Sequence, residues 1–176
     1  KIGEDYLAVN AILMQFVIFG SFFLDAYAFS TEGIVGYTIG RKSKKSFLQV
    51  VKNAFQLSFY TALIISLIYI FFFKDLINII TDIEFLKFIS YKHFLWIVII
   101  PPVASFCYQL DGIFVGASQT REIRNAMIFS VISYLVISIY LSKFFGNHGI
   151  WFSLLIFMIL RAVSLQYYFN KILRKF

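Results

Sequence analysis

The stretch Ser21-Phe22-Phe23-Leu24-Asp25-Ala26-Tyr27-Ala28-Phe29-Ser30-Thr31-Glu32-Gly33-Ile34-Val35-Gly36-Tyr37-Thr38-Ile39-Gly40 decides how this chain is read. On a helix of 3.6 residues per turn, Asp25 and Glu32 lie two turns apart and share a face with Ser21, Ala28, Gly36 and Gly40. Phe23, Tyr27 and Ile34 point the other way. A stripe of small and acidic residues opposite an apolar one marks a membrane helix turned toward its neighbours, because carboxylates facing lipid are costly. A helix of a soluble bundle could carry the same stripe, so the composition of the remaining chain has to decide.

It decides for the membrane. Of 176 residues, 60% are apolar and 14% charged, Phe alone supplies 23, and the mean hydropathy is +0.81. These values define an all-α, polytopic membrane helix bundle. The formal charge of +7 raises the question of nucleic acid. The basic residues, however, gather at the ends of apolar runs and form no patch interleaved with exposed aromatics, so no nucleic-acid partner is expected. A single cysteine, Cys107, in an apolar run excludes an internal disulfide or a thiolate metal cluster and reads as a small packing residue.

At about 1.5 Å per residue, crossing a hydrocarbon core of about 30 Å takes roughly 20 apolar residues. Five transmembrane helices meet that length, over about 6–40, 46–73, 93–117, 123–144 and 150–170. The first is too long for one straight crossing, so its glycine-bearing end is expected to bend or project. Residues 76–90 are apolar at helical spacing but too charged and too short to span, and read as an interfacial segment. Pro101-Pro102 removes two backbone donors and is expected to kink the third span. Gly146-Asn147-His148-Gly149 reads as the tight turn before the fifth.

Arg41, Lys42, Lys44, Lys45 and Lys52 follow the first span, Arg121 and Arg124 join the third to the fourth, and Lys171, Arg174 and Lys175 follow the fifth. Basic loops face the cytoplasm, so the C-terminus is expected inside a cell (inner) membrane and residue 1 outside. The polar start Lys1-Ile2-Gly3-Glu4-Asp5 has neither Met nor signal-peptide pattern, and an absent preceding span is the simplest expectation.

Four ionisable residues fall inside the spans: Asp25, Glu32, Asp111 and Arg161. An unpaired charge at mid-span costs at least about 2.5 kcal/mol, so Arg161 needs a partner, and the acids of the first and third spans are available. The group reads either as a protonatable or cation-binding network in a transport pathway or as an ion pair that fixes packing. His93 and His148 stand far apart, with no acid or cysteine at a ligand spacing, so no metal site is expected. No nucleophile elbow, phosphate loop or catalytic carboxylate pair appears, and an enzyme is not expected. Ser130, Tyr134 and Ser138 form a polar stripe suited to a wet cavity or to interhelical hydrogen bonds. Gly112/Gly116 and Gly36/Gly40 have the small-xxx-small spacing that permits close helix contact.

Two segments then carry a resemblance. Leu7-Ala8-Val9-Asn10-Ala11-Ile12-Leu13 with Leu24-Asp25-Ala26-Tyr27-Ala28-Phe29-Ser30-Thr31-Glu32-Gly33 resembles the eighth helix of multidrug and toxic compound extrusion (MATE) transporters of the DinF-like branch. Leu110-Asp111-Gly112-Ile113-Phe114-Val115-Gly116-Ala117 with Thr120-Arg121-Glu122-Ile123-Arg124-Asn125 resembles the end of the tenth helix and the loop after it. Gly146-Asn147-His148-Gly149-Ile150-Trp151 resembles the turn into the twelfth.

The resemblance implies that residues 1–176 form part of the second lobe, helices eight to twelve, of a two-lobe antiporter. Such a protein exports amphipathic or cationic compounds in exchange for H⁺ or Na⁺. It also implies that the segment is inactive without its N-terminal lobe, that membrane lipid and that lobe are its partners, and that no cofactor beyond the coupling ion is needed. The residues assigned to the substrate and ion pathway are Asn10, Ser21, Asp25, Glu32, Asp111, Tyr134 and Arg161. A lipid or lipid-linked sugar flippase of the same superfamily and a non-transport membrane assembly subunit are the alternatives. A cavity lined with Lys and Arg would favour the flippase, and Arg161 alone lies deep.

Overall fold

The computed structural model describes residues 3–176, so Lys1 and Ile2 of the polar start lie outside the described residues. Six helices follow one another: α1 (Glu4–Gly40), α2 (Lys44–Ile80), α3 (Glu84–Lys92), α4 (Phe94–Gly116), α5 (Thr120–Phe145) and α6 (Asn147–Leu173). All but α3 are long and apolar enough to cross a membrane. The chain is therefore a multi-pass membrane protein with an all-α fold.

Helix bounds differ from the sequence expectation where local polarity misleads. α1 runs unbroken for 37 residues, about 55 Å at helical rise, so its excess length continues past a bilayer core as helix. α2 continues through Lys74 and Asp75 to Ile80, absorbing the first part of the expected interfacial segment. The rest becomes α3, with Glu84 in its first turn and Lys92 in its last, as the helix dipole favours. Its Phe85 and Phe88 are exposed and its Ile89 buried, an amphipathic arrangement suited to an interface.

Pro101 and Pro102 stay inside one continuous α4. A proline at 102 cannot donate to the carbonyl of Val98, four residues back. Ser66 of α2 donates its hydroxyl to that carbonyl at 2.8 Å, so a neighbouring helix satisfies what the proline leaves open. Only Gly146 forms the break before α6, with φ +55°, and Asn147 is already helical.

α4 is the spine of the bundle, packed against α1, α2 and α6, while α5 leans mainly on α6. Close approach of α1 and α4 depends on two glycines. A Cβ on Gly112 would fall on the backbone carbonyl of Ala28, and one on Gly116 on that of Glu32. The expected small-residue contact thus exists on α4, where glycines one turn apart let a backbone of α1 lie in the groove. On α1, Gly36 faces the Gly116 carbonyl at 3.4 Å from a built Cβ, whereas Gly40 has open space.

Two apolar cores form. One gathers Val9, Leu13, Leu24, Tyr69, Ile97, Ile100, Trp151 and Met158. The other, toward the basic connections, gathers Val35, Phe47, Leu110, Phe114, Leu165 and Ile172. Tyr69 ties α2 to α1 within the first by donating to the Phe16 carbonyl at 2.7 Å. A groove of ≈ 690 Å³ along α1 and α2, lined by Phe19, Phe22, Phe23, Ile64 and Ile68, stays open and apolar.

Candidate functional site: a charged layer between two apolar cores

On α1, α4 and α6 the first core ends at Leu24, Ala104 and Met158, and the second begins at Val35, Leu110 and Leu165. Where the two meet, α1 carries Asp25, Thr31 and Glu32, α4 carries Gln109 and, one residue past Leu110, Asp111, and α6 carries Arg161. Arg161 stands at mid-length of α6.

Arg161 donates from Nη2 to Asp111 Oδ2 at 2.7 Å, and each side chain is 19% exposed. Of the acids offered by the first and third spans, the third supplies the direct partner. Asp25 stands outside ion-pair distance yet within the electrostatic reach of both Arg161 and Asp111. Arg161 is thus paired with Asp111, with Asp25 at longer range. The second oxygen of Asp111, Oδ1, and Arg161 Nε are buried without a protein partner among the described residues. Buried polar atoms are nearly always satisfied, so these two leave one acceptor and one donor for a small ligand or water.

Beside this layer Ser21 and Tyr108 line a void of ≈ 10 Å³ with Gly20, Leu24, Pro101 and Met158. That volume is about one water. Tyr108 lies in the field of Asp25 and Arg161. Sequence reasoning passed over this tyrosine because aromatic residues are abundant and none stands out by spacing. Six residues past Asp25 on α1, Thr31 contacts the buried Gln109 of α4 at 2.9 Å, adding a neutral polar contact across the same helix pair.

Of the remaining pathway candidates, Ser21 lies beside the layer and the others lie elsewhere. Ser21 turns its hydroxyl to the Ile18 carbonyl of its own helix at 2.7 Å. Glu32 lies seven residues beyond Asp25, about 10 Å along the helix, and forms no ion pair or side-chain hydrogen bond among the described residues; its backbone receives Gly116. Tyr134 packs edge-on against Phe157 of α6, with ring centroids 6.0 Å apart. The stripe it belongs to forms no hydrogen bonds between helices: Ser138 bonds the Leu135 carbonyl of its own helix, and Ser130 is buried without a partner. Asn10 stands fifteen residues before Asp25, about 22 Å away along α1, where its amide pairs with Asn147 of α6.

At the opposite end from that pair, the last turns of α6 are fastened to the α4–α5 connection. Lys171 donates to Glu122 at 3.0 Å and Lys175 to the Ala117 carbonyl. No group of three or more metal-ligating side chains occurs among the described residues. Cys107 is buried, as its apolar surroundings in sequence suggest.

This arrangement of long apolar helices around a sparse charged layer agrees with the comparisons to known proteins. The MatE family model matches residues 1–144, most of the chain, and the chain belongs to that family. It is 32% identical over 165 residues to the DNA damage-inducible protein F of Escherichia coli (strain K12), covering 94% of this chain and 36% of that protein. It is 24% identical over 163 residues to the chloroplastic protein DETOXIFICATION 44 of Arabidopsis thaliana, covering 92% of this chain and 31% of that one. The chain thus spans about a third of the length of these curated relatives. No solved structure matches it.

Proposed function

We propose that this chain is part of the second lobe of a secondary antiporter that exports amphipathic or cationic compounds in exchange for H⁺ or Na⁺. The observation that carries this reading is the Asp25, Asp111 and Arg161 layer, in which two carboxylates face one guanidinium at mid-depth. With all three ionised the layer has a net charge of −1, which a proton, a sodium ion or a cationic substrate would neutralise. Charges in a medium of low dielectric are costly unless compensated, so the layer favours holding one cation at a time. Mutual exclusion of two cations at one site is the elementary requirement of antiport.

The unpartnered Asp111 Oδ1 supports the reading by leaving an oxygen for the exchanged cation. Asp25 is the carboxylate that can change state without breaking the Asp111–Arg161 pair, and it is assigned the coupling role. A complete pathway needs a second wall, so the partners are a first lobe and the surrounding lipid, and the segment alone is inactive. The clustering of Lys and Arg after the first, third and fifth spans supports a cytoplasmic C-terminus and a location in the inner membrane.

The test is efflux of a fluorescent cationic dye by the complete transporter. Asp25→Asn should lose coupled efflux while accumulating in the membrane at the wild-type level. Wild-type efflux by a normally accumulated Asp25→Asn protein would remove this carboxylate from coupling. No efflux in any acid substitution of the layer, with dye still bound at wild-type affinity, would instead leave coupling in place and remove cation competition as its cause.

A further inference from the structure

At the end of the bundle away from the basic connections, a connected set of polar side chains joins α1, the α3–α4 joint and α6. Asn10 and Asn147 exchange a reciprocal pair of amide hydrogen bonds at 2.7 and 2.9 Å. Trp151 Nε1 donates to Asn10 Oδ1 at 2.9 Å, and Asn147 Nδ2 lies 3.0 Å from His93 Nε2. His93 Nδ1 lies 2.9 Å from the Ile89 carbonyl. The His148 ring stacks on the His93 ring at 4.2 Å between centroids, 14° from parallel, and Trp96 Nε1 donates to His148 Nδ1 at 3.0 Å.

The donors and acceptors in this set leave one consistent assignment. An indole N–H can only donate, so the atom of Asn10 facing Trp151 is its oxygen. The Asn10 nitrogen then faces the Asn147 oxygen, which turns the Asn147 nitrogen toward His93. His93 Nε2 must therefore accept, and its proton resides on Nδ1, directed at the Ile89 carbonyl. By the same logic the Trp96 indole makes His148 Nδ1 an acceptor. The Nε2 lone pair of His93 is occupied by the Asn147 amide nitrogen, and the Nδ1 lone pair of His148 by the Trp96 indole.

We propose that His93 is a proton-binding site, separate from the carboxylate layer, whose occupation opens the clasp between α1 and α6. A proton on Nε2 would set N–H against the Asn147 amide N–H₂. Turning the Asn147 amide would present its oxygen to His93 but place its nitrogen against that of Asn10. Asn10 cannot turn in its place, because its nitrogen would then meet the Trp151 indole. Proton binding and the reciprocal Asn10–Asn147 pair are thus mutually exclusive.

The surroundings favour the empty, clasped state. His93 is 2% exposed. Burial holds its pKa below the usual imidazole value, opposed by the Ile89 carbonyl and assisted by His148 and Lys92. The ionisable groups facing the ring among the described side chains are Tyr6 of α1, edge-on at 6.2 Å, Lys92 of α3 and His148 of α6; α4 contributes the Trp96 indole through His148, and no described carboxylate contacts the ring. Because the clasped state holds His93 below its free value of about 6.5, the clasp is fully stabilised above that pH. Its stability falls as the pH drops from about 6.5 to the depressed value, by up to about tenfold in the equilibrium constant per pH unit.

The chain contains two tryptophans, and both belong to this set. Intrinsic emission of Trp96 and Trp151 and the thermal unfolding midpoint, measured from pH 8 to pH 5 on the complete transporter purified in micelles with any other tryptophan replaced by phenylalanine, therefore read the clasp. The wild type should show one protonation step below pH 6.5 in emission, with a parallel fall in midpoint. His93→Gln should abolish both changes, and His148→Asn should keep them, moved to higher pH by removal of the stacked ring. Asn147→Asp, which offers an acceptor to a protonated His93, should shift the emission step to higher pH and remove the fall in midpoint. A step that survives in His93→Gln, or emission and midpoint both constant across the range, would overturn the proposal. If His93→Gln failed to fold, a wild-type step unmoved by Asn147→Asp would do the same.

Discussion

Arg161 shows how much rests on a single side chain in a low-dielectric layer. It is the direct partner of Asp111 and acts on Asp25 at longer range. Removing one member of a buried ion pair leaves the other charge uncompensated, at a cost of about 3–5 kcal/mol. Arg161→Leu should therefore lower the thermal unfolding midpoint and the membrane abundance sharply, and Arg161→Leu with Asp111→Asn should recover most of the loss. Pairing Arg161→Leu with Asp25→Asn should recover less, because Asp25 does not form the direct bond. Equal rescue by the two double mutants, in thermal unfolding of purified protein, would contradict the assignment of Asp111 as the direct partner.

Among the elements, the α1–α4 contact is the one set by backbone proximity. Gly112 and Gly116 leave no space for a Cβ, because the backbone of Ala28 or Glu32 already fills it. Gly112→Val should force the helices apart and destabilise by about 1–3 kcal/mol. Gly33 meets nothing within 4 Å and lies inside the same α1, so Gly33→Ala should be neutral or stabilising by up to about 1 kcal/mol. Chemical or thermal unfolding of the two variants distinguishes close approach from helix propensity: a tolerant Gly112→Val would show that the contact yields. α5 presents the contrary case, since its Phe129, Ile132, Val136 and Ile139 are exposed and few of its side chains are buried. Hydrophobic substitutions along that face should change stability by less than about 0.5 kcal/mol.

At the scale of the whole molecule, the ends of the bundle differ in charge, and this sets the topology expected in a membrane. Cysteines at Lys45 and Arg174 should be labelled from the cytoplasm, and cysteines at Ile79 and Phe145 from outside. All four positions are exposed, whereas the native Cys107 is buried and should stay silent. Labelling with an impermeant thiol reagent in intact cells and in inverted vesicles would reveal a reversed orientation directly. Position 147 is a poor reporter of the outer end, because Asn147 is buried in the amide pair with Asn10.

The sequence by itself determined the class and the number of long apolar helices. Apolar runs of fixed length admit few alternatives in a bilayer, and a charge within one is visible wherever it occurs. The same local logic misplaced the end of α2, because Lys74 and Asp75 resemble a loop yet are compatible with helix beyond the core. It likewise placed a four-residue turn where Gly146 alone breaks the helices, and nothing in it indicates that Ser66 of α2 donates to the Val98 carbonyl that Pro102 leaves open. Only the tertiary structure decided who meets whom. Helical periodicity put Asp25 and Glu32 on one face, but a helix face extends over many ångströms, and the neighbouring Arg161 reaches only one part of it. His93 and His148, 55 positions apart in sequence, stack because the α3–α4 joint and the start of α6 arrive at the same end of the bundle. Spacing along a chain reports on contacts within one helix, whereas a contact between helices depends on register and rotation, which packing alone fixes.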